Sequence, residues 1–235
     1  MSAFVAEIIG TAMILLFGCG VVAGVLLDKS KSNGGGWIVI TFSWAIGVVF
    51  GIYAAGQFSG AHLNPAVTIA LAIAGKFSWN LVPTYIAGQF IGAMIGSTLV
   101  YYAYLPHWKE TKDAGLKLAV FSTGPAIRHP VSNFLCEFIS TFVLMFVIMI
   151  IGANKYAEGL GPVVVGILIL GMGLSFGGPT GYALNPARDL GPRIMHAILP
   201  IPGKGDSDWG YSWVPVVAPI CGASCASLLA VALLP

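Results

Sequence analysis

The sequence predicts an all-α membrane protein with six transmembrane helices and two half-helices, arranged as an inverted repeat. Three observations support this fold class: a shortage of charge, six long apolar stretches, and two short apolar stretches that begin alike. Of the 235 residues, 9% are charged and 57% are hydrophobic, and the mean hydropathy is +0.88. An ordinary soluble domain carries about 25% charged residues. This composition excludes a soluble globular enzyme and a disordered chain, and it indicates an integral membrane protein.

Six apolar stretches are long enough to cross a bilayer, whose hydrocarbon core of about 30 Å needs about 20 helical residues. They are Phe4–Leu27, Trp37–Gly56, Leu81–Leu105, Val131–Ala153, Leu160–Gly177 and Ser212–Leu234. The polar segments between them are Asp28–Gly36, Pro106–Pro130, Asn154–Gly159 and Ile201–Tyr211. The first stretch lacks the basic start and the small-residue cleavage site of a signal peptide, so we expect it to span the membrane.

Two further apolar segments, Pro65–Ala74 and Pro186–Leu199, are too short to span, because ten helical residues cover only about 15 Å. Both begin inside the same tripeptide, which occurs as Asn64-Pro65-Ala66 and as Asn185-Pro186-Ala187. Asparagine is favoured at a helix N-cap and proline at the first helical position, so each tripeptide predicts the start of a half-helix. The Gly-rich stretches before them, Gly56–Ala61 and Gly177–Gly181, predict irregular backbone.

The two halves of the chain repeat. We expect one domain over residues 1–235, with copies at 1–105 and 131–235 joined by residues 106–130. Each copy opens with a glutamate early in an apolar helix, Glu7 in the first and Glu137 in the second. Each copy contains three spans, an odd number, so the copies cross the membrane in opposite directions. The half-helices therefore meet near the midplane with their N-termini facing each other.

The two irregular segments indicate a path through the protein, because such backbone is tolerated at membrane depth only inside protein or beside water. The backbone carbonyl groups expected to line this path belong to Gly60, Ala61, His62, Leu63, Gly181, Tyr182, Ala183 and Leu184. Each Asn carbonyl is expected to cap its own half-helix and to leave the NH₂ group free to donate into the path. The facing helix N-termini carry partial positive charge, which opposes cations and protons.

The segments Ser59–Thr68 and Gly181–Asp189 resemble the two signature loops of the major intrinsic proteins, the family of the aquaporins and glycerol facilitators. The resemblance extends over the whole chain. It implies an aquaporin-like right-handed bundle, a homotetramer with one pore in each monomer, and no cofactor or metal. It also implies that Glu7 and Glu137 brace the two irregular loops by accepting backbone hydrogen bonds.

The resemblance places the outer constriction of the pore at Trp44, Gly173, Tyr182 and Arg188. Strict water channels have histidine where this chain has Gly173, so we expect the glycine to open room. Trp44 and Tyr182 would offer an apolar corner while Arg188 donates to hydroxyl groups. Further matches to the glycerol-conducting branch are Asp189, Arg193 and the pair Pro215-Val216. We expect Asp189 and Arg193 to orient a loop rather than contact solute.

These matches predict a passive channel for small uncharged solutes, with glycerol and water as the leading candidates and with ions and protons excluded. Tyr182 stands where the compared glycerol facilitator has phenylalanine, which leaves the solute open. Neutral lactic acid is the main alternative, followed by dihydroxyacetone, urea, ammonia and hydrogen peroxide.

Other classes of function are disfavoured. An ion-coupled secondary transporter also uses inverted repeats and broken helices, and it needs an ion or proton site at mid-depth. Only Glu7 and Glu137 could serve as that site, and the resemblance gives both of them the simpler role of bracing the loops. No nucleophile–base pair or metal cluster indicates an enzyme, and a net charge of +2 indicates no nucleic-acid partner. We expect His62 to hold its loop rather than titrate, and all four cysteines to be core hydrophobes.

The resemblance implies a multi-pass protein of the plasma membrane with both termini in the cytoplasm. Charge alone favours the opposite orientation, because the loops on the cytoplasmic side carry only Lys76 and Lys155. The loops on the other side carry Lys29, Lys31, Lys109, Lys112, Lys117, Arg128 and Lys204. We expect the family's orientation.

Overall fold

Helices form almost all of the regular structure in the computed structural model, which describes residues 1–234. The six long helices are α1 (Ala3–Leu26), α2 (Trp37–Ser59), α4 (Val82–Ala103), α7 (Pro130–Ala153), α8 (Gly161–Thr180) and α10 (Val214–Leu233). The short ones are α3 (Pro65–Ile73), α5 (His107–Glu110), α6 (Ala114–Phe121) and α9 (Pro186–Ile198), with a 3₁₀ turn at Trp79–Leu81. Within residues 1–234, six helices are long and apolar enough to cross a membrane. The predicted fold class is confirmed.

The Gly-rich stretches before the half-helices are more regular than the sequence predicts. Helix α2 continues to Ser59 and helix α8 to Thr180, so the irregular backbone begins only at Gly60 and at Gly181. The expectation of irregular backbone from residues 56 and 177 is therefore wrong. Gly177 is a glycine because of helix packing and not because the backbone turns there, since an added Cβ would lie 2.4 Å from the Trp37 ring. The connecting segment 106–130, expected as a polar joint, contains α5 and α6.

Glycines bring the helix backbones into close contact in both halves. A Cβ on Gly92 of α4 would lie 2.3 Å from the carbonyl oxygen of Ile8 in α1. A Cβ on Gly222 of α10 would lie 2.3 Å from the carbonyl oxygen of Phe138 in α7. Ile8 and Phe138 each follow a glutamate of the repeat, so the same contact occurs twice. Small residues stabilise helix pairs in lipid by allowing this approach.

The half-helices lock the two halves together. Helix α3 of the first half packs against α10, and helix α9 of the second half packs against α4. Each half-helix is thus supported by a long helix from the other copy. The irregular loops that precede α3 and α9 are thereby brought to the centre of the bundle.

The four cysteines are free and lie in different surroundings. Cys19 is buried, and Cys136 and Cys221 are partly buried. Cys225 is exposed on α10, so the expectation that all four are core hydrophobes is wrong for this residue.

Replacing Gly92 by alanine is expected to lower thermal stability, because the carbonyl of Ile8 must move to admit the methyl group. Overpacking of this kind costs about 1–3 kcal/mol. The matched control is Gly171→Ala in α8, where an added Cβ meets nothing within 4 Å. That change gains up to about 1 kcal/mol of helix propensity. Thermal unfolding of the purified variants in detergent measures both, and equal melting temperatures would contradict the packing argument.

Candidate functional site

Two loops, Gly60–Leu63 and Gly181–Leu184, share an unusual backbone conformation. Within each loop the first, second and fourth residues have left-handed φ angles. These are Gly60 (+77°), Ala61 (+52°), Leu63 (+52°), Gly181 (+82°), Tyr182 (+41°) and Leu184 (+56°). Such angles cost a residue with a side chain about 1–3 kcal/mol and persist only where the surroundings enforce them. The loops therefore depend on partners outside themselves.

The fully buried carboxylate of Glu7 holds the first loop. Its Oε1 accepts from the backbone N–H of His62 at 3.0 Å and from the hydroxyl of Ser59 at 2.6 Å. Its Oε2 accepts from the backbone N–H of Leu63 at 2.7 Å and from the amide of Gln89 at 2.7 Å. Four donors that would otherwise be unsatisfied inside the membrane thus share one acceptor group.

Glu137 holds the second loop in the same way and is also fully buried. Its carboxylate accepts from the backbone N–H of Ala183 at 2.9 Å and of Leu184 at 3.1 Å. The hydroxyl of Thr180 donates to it at 2.7 Å, as Ser59 does to Glu7. Both carboxylates are occupied by loop donors, which leaves them poorly placed to couple ions.

Six of the eight backbone carbonyl groups of the two loops remain free of protein partners. Within residues 1–234, those of Gly60, Ala61, His62, Gly181, Tyr182 and Ala183 accept no hydrogen bond from the protein. All of these residues except Gly181 line one internal cavity of about 230 Å³. A carbonyl at membrane depth needs a donor, so these groups are available to a polar molecule in the cavity.

The asparagines join the two loops at the middle of the bundle. The Oδ1 atoms of Asn64 and Asn185 cap α3 and α9, accepting from the backbone N–H two residues on at 2.9 and 3.0 Å. The Nδ2 of Asn64 donates to the carbonyl of Leu184 at 2.9 Å, and the Nδ2 of Asn185 donates to that of Leu63 at 2.8 Å. The expected free NH₂ groups are therefore half engaged, and each retains one N–H for the cavity.

The engaged leucine carbonyls form the inner end of the carbonyl row. Leu63 and Leu184 line the cavity, but each accepts an asparagine N–H from the other loop. The remaining residues of the two tripeptides, Pro65, Ala66, Pro186 and Ala187, form the buried first turns of the half-helices and lie outside the cavity lining.

The remainder of the cavity wall is mainly aliphatic. Its side chains are Ile14, Val48, Ile52, Val67, Leu71, Leu144, Ile148, Val165 and Ile169. Sequence reasoning did not find these residues, because nothing in their chemistry separates them from aliphatic residues that face lipid. The cavity thus combines an apolar wall with a row of acceptors. Within residues 1–234, no cluster of three or more His, Cys, Asp or Glu side chains could hold a metal ion.

Arg188 and Trp44 lie together at the cavity. The guanidinium carbon of Arg188 is 4.0 Å from the centre of the Trp44 ring, within range of a cation–π interaction. In the described part of the chain the guanidinium makes no hydrogen bond to protein, so its N–H groups are available to a bound molecule. Arg188 does not form an ion pair with its neighbour Asp189. Asp189 pairs instead with Arg193, at 2.9 Å.

Asp189 and Arg193 fasten the segment after α6 to the second half-helix. One Asp189 oxygen accepts from the backbone N–H of Thr123 at 2.7 Å and from its hydroxyl at 2.6 Å. Arg193 donates to the carbonyls of Thr123 at 2.8 Å and Ser207 at 2.7 Å. Neither residue lines the cavity, which agrees with a loop-orienting role.

Gly173 is expected to open room directly at the constriction, but its effect is indirect. It does not line the cavity, and a Cβ there would lie 2.9 Å from Cζ of Tyr182 and 2.7 Å from the Thr41 methyl group. The glycine makes room for the Tyr182 ring, which in turn lines the cavity. The Tyr182 hydroxyl is buried and has no partner within residues 1–234.

The imidazole of His62 lies in a packed cluster beside the first loop. Its Nδ1 is 3.2 Å from the Thr68 hydroxyl on the half-helix. The rings of Phe77 and Tyr85 pack against it, with centroid distances of 4.5 and 4.8 Å. These contacts fit a role in holding the loop.

Replacing Glu137 by glutamine is expected to destabilise the protein by about 2 kcal/mol, because an NH₂ group then faces backbone donors that have lost their acceptor. Glu158→Gln, in an exposed turn, is the matched control and is expected to leave stability unchanged within about 0.5 kcal/mol. Thermal unfolding in detergent gives the comparison. A Glu137→Gln variant as stable as the control would show that the carboxylate does not hold the loop.

Comparison with known proteins places this architecture in a family. The model of the family described as major intrinsic protein matches residues 1–230. The chain is 60% identical over 224 residues to a glycerol uptake facilitator protein of Bacillus subtilis, covering 95% of this chain and 82% of that one. It is 54% identical over 229 residues to a glycerol uptake facilitator protein of Streptococcus pneumoniae, covering 97% and 98%.

A solved structure has the same fold. The aquaglyceroporin from Plasmodium falciparum matches with a TM-score of 0.86 and 32% identity, covering 98% of this chain and 95% of that one. The family predicted from the two loop motifs is confirmed. The chain belongs to the major intrinsic protein family.

Proposed function

We propose that this protein is a passive membrane channel for glycerol, with water and other small neutral solutes also conducted. The observation that carries the proposal is the cavity, in which unbonded carbonyls share the wall with aliphatic side chains. A polyol has hydroxyl groups along a carbon skeleton and matches both surfaces. The names of the relatives, glycerol uptake facilitators and an aquaglyceroporin, support the same solute.

The cavity residues suggest a path for the solute. At the constriction, Arg188 donates to solute hydroxyls while the Trp44 and Tyr182 rings contact the carbons. The solute then moves along the carbonyl row, donating its hydroxyl protons, and accepts from the spare N–H groups of Asn64 and Asn185 at the centre. Each polar contact replaces a hydrogen bond to water and so lowers the cost of dehydrating the solute. The proposed path contains no ion-coupling step, so passage follows the concentration gradient.

All ions are opposed by the cost of desolvation, and cations are opposed by positive charge as well. The cavity supplies neutral acceptors, which do not repay the cost of stripping water from an ion. The N-termini of α3 and α9 add partial positive charge near the asparagines, and Arg188 adds a full one. Protons carried along a water chain meet the same positive field, so we expect the channel to exclude them.

The finer assignments of the proposal follow from the family. Residues 1–235 form one channel domain, with copies at 1–105 and 131–235 joined by 106–130. The protein is a homotetramer in the plasma membrane with cytoplasmic termini and acts as a channel, not an enzyme. Neutral lactic acid is the second candidate solute, because its hydroxyl and protonated carboxyl suit the same wall.

Several of the basic loop residues that favour the opposite orientation make contacts within the fold. Lys29 pairs with Glu110 at 2.5 Å, and Arg128 pairs with Asp208 at 2.5 Å. Lys117 is buried and donates to the carbonyl of Pro202. The positive-inside rule counts Lys and Arg, and acidic partners contribute little to it, so these contacts do not remove the charge count. The proposed orientation follows from the family.

Glycerol flux into proteoliposomes is expected to rise linearly with the glycerol gradient and to have a low activation energy. Stopped-flow light scattering measures this, with neutral lactic acid and water as parallel solutes and protein-free liposomes as the control. Saturation of the flux, or its dependence on a proton or sodium gradient, would replace the channel with a coupled transporter.

Replacing Arg188 by valine is expected to let cations or protons leak, because the full positive charge at the constriction is lost. A pH-sensitive dye trapped in proteoliposomes reports the leak under a membrane potential. The matched control is Arg128→Val, which removes a partly exposed ion pair outside the cavity. This variant is expected to remain impermeable to protons and cations. If neither variant conducted protons or cations, Arg188 would have no part in excluding them.

A further inference from the structure

The ring of Tyr182 lies in a slot between α2 and α8, and Trp37 forms one side of that slot. The two ring centroids are 5.8 Å apart, and the rings meet edge to face at 75°. Two glycines of α8 leave the space: a Cβ on Gly177 would lie 2.4 Å from the Trp37 ring and 2.8 Å from Tyr182 Cδ1. At Gly173 it would lie 2.9 Å from Tyr182 Cζ.

Trp37 is itself fixed in place. Its indole N–H donates to the carbonyl oxygen of Gly173 at 2.9 Å, which ties the first residue of α2 to the middle of α8. Trp37 is 40% exposed and Tyr182 is 5% exposed, so Trp37 lies on the outer side of the slot. The side of α8 that receives Tyr182 is therefore bounded by an anchored aromatic ring.

Packing alone holds the Tyr182 ring. Its hydroxyl has no hydrogen-bond partner within residues 1–234, and its backbone has a left-handed φ of +41°. No polar contact of the side chain therefore resists movement of the ring. Trp37 and the two glycines of α8 border the ring, so they bear directly on its distance from the other cavity residues.

We propose that Trp37 is a positioning residue that sets the size limit of the channel by holding the Tyr182 ring at the constriction. The inference rests on the proposed function of the cavity as a solute path. Without the indole, the ring moves back into the vacated space and the constriction widens. Larger polyols then pass more readily relative to glycerol, whereas the carbonyl row and the asparagines are unaffected.

The test compares permeability to a five-carbon polyol, ribitol, with permeability to glycerol in proteoliposomes of each variant. For Trp37→Ala we expect the ribitol-to-glycerol ratio to rise by about threefold or more, since pocket size alone discriminates modestly between neighbouring solutes. Trp37→Phe retains an aromatic edge against Tyr182, so its ratio is expected to lie nearer to that of the wild type. Trp79→Ala removes an exposed tryptophan outside the cavity and is expected to leave the ratio unchanged.

If the alanine variant does not accumulate, Trp37→Leu replaces it in the test. Leucine keeps an apolar side chain but lacks the aromatic edge against Tyr182, so the ribitol-to-glycerol ratio is again expected to rise. A further pair tests whether Trp37 acts through the tyrosine. The Tyr182→Ala variant lacks the ring. The double variant Tyr182→Ala/Trp37→Ala is therefore expected to have the same ribitol-to-glycerol ratio as Tyr182→Ala alone. A purely structural role would lower stability and the number of active channels without changing the ratio.

The outcomes separate this inference from the proposed function. Wild-type glycerol flux with an unchanged ratio in folded Trp37→Ala or Trp37→Leu overturns the inference alone. A full additional effect of Trp37→Ala in the Tyr182→Ala background also overturns it. Absence of glycerol flux through the wild type overturns the proposed function and the inference with it.

Discussion

The architecture depends on satisfying backbone N–H groups that are neither helical nor exposed to bulk water. In each half, one buried carboxylate accepts the N–H groups at the end of the irregular loop, Glu7 in the first and Glu137 in the second. Because the N–H groups are bound in this way, the carbonyl groups remain for the cavity. A left-handed backbone that would otherwise be strained becomes a stable row of acceptors.

Duplication supplies the second constraint. The asparagine of each loop donates to the leucine carbonyl of the other, a reciprocal pair expected of two elements related by two-fold symmetry. The glycine contacts at Gly92 and Gly222 repeat one another at the level of helix packing. The copies are not identical, since Glu7 receives an additional hydrogen bond from Gln89. The half-helices meet at the centre because both copies build the same loop from opposite sides.

Much of this is predictable from sequence because the signals are local. Apolar length identifies the six spans, and an asparagine before a proline identifies the start of each half-helix. Packing between distant residues is not encoded locally. The helical run to Thr180, the use of Gly173 to seat Tyr182 and the part played by Trp37 all depend on contacts between α2 and α8. The aliphatic cavity wall carries no chemical signal in the sequence, because the same residue types face lipid elsewhere in the chain.

The unbonded loop carbonyls form the proposed solute path. A high-resolution structure of the protein in glycerol tests it most directly. We expect glycerol in the cavity, with its hydroxyl groups within hydrogen-bond distance of carbonyls such as those of Ala61 and Ala183 and with its carbons against the aliphatic wall. A cavity without glycerol at saturating concentration, or glycerol bound with its hydroxyls turned away from these carbonyls, would contradict it.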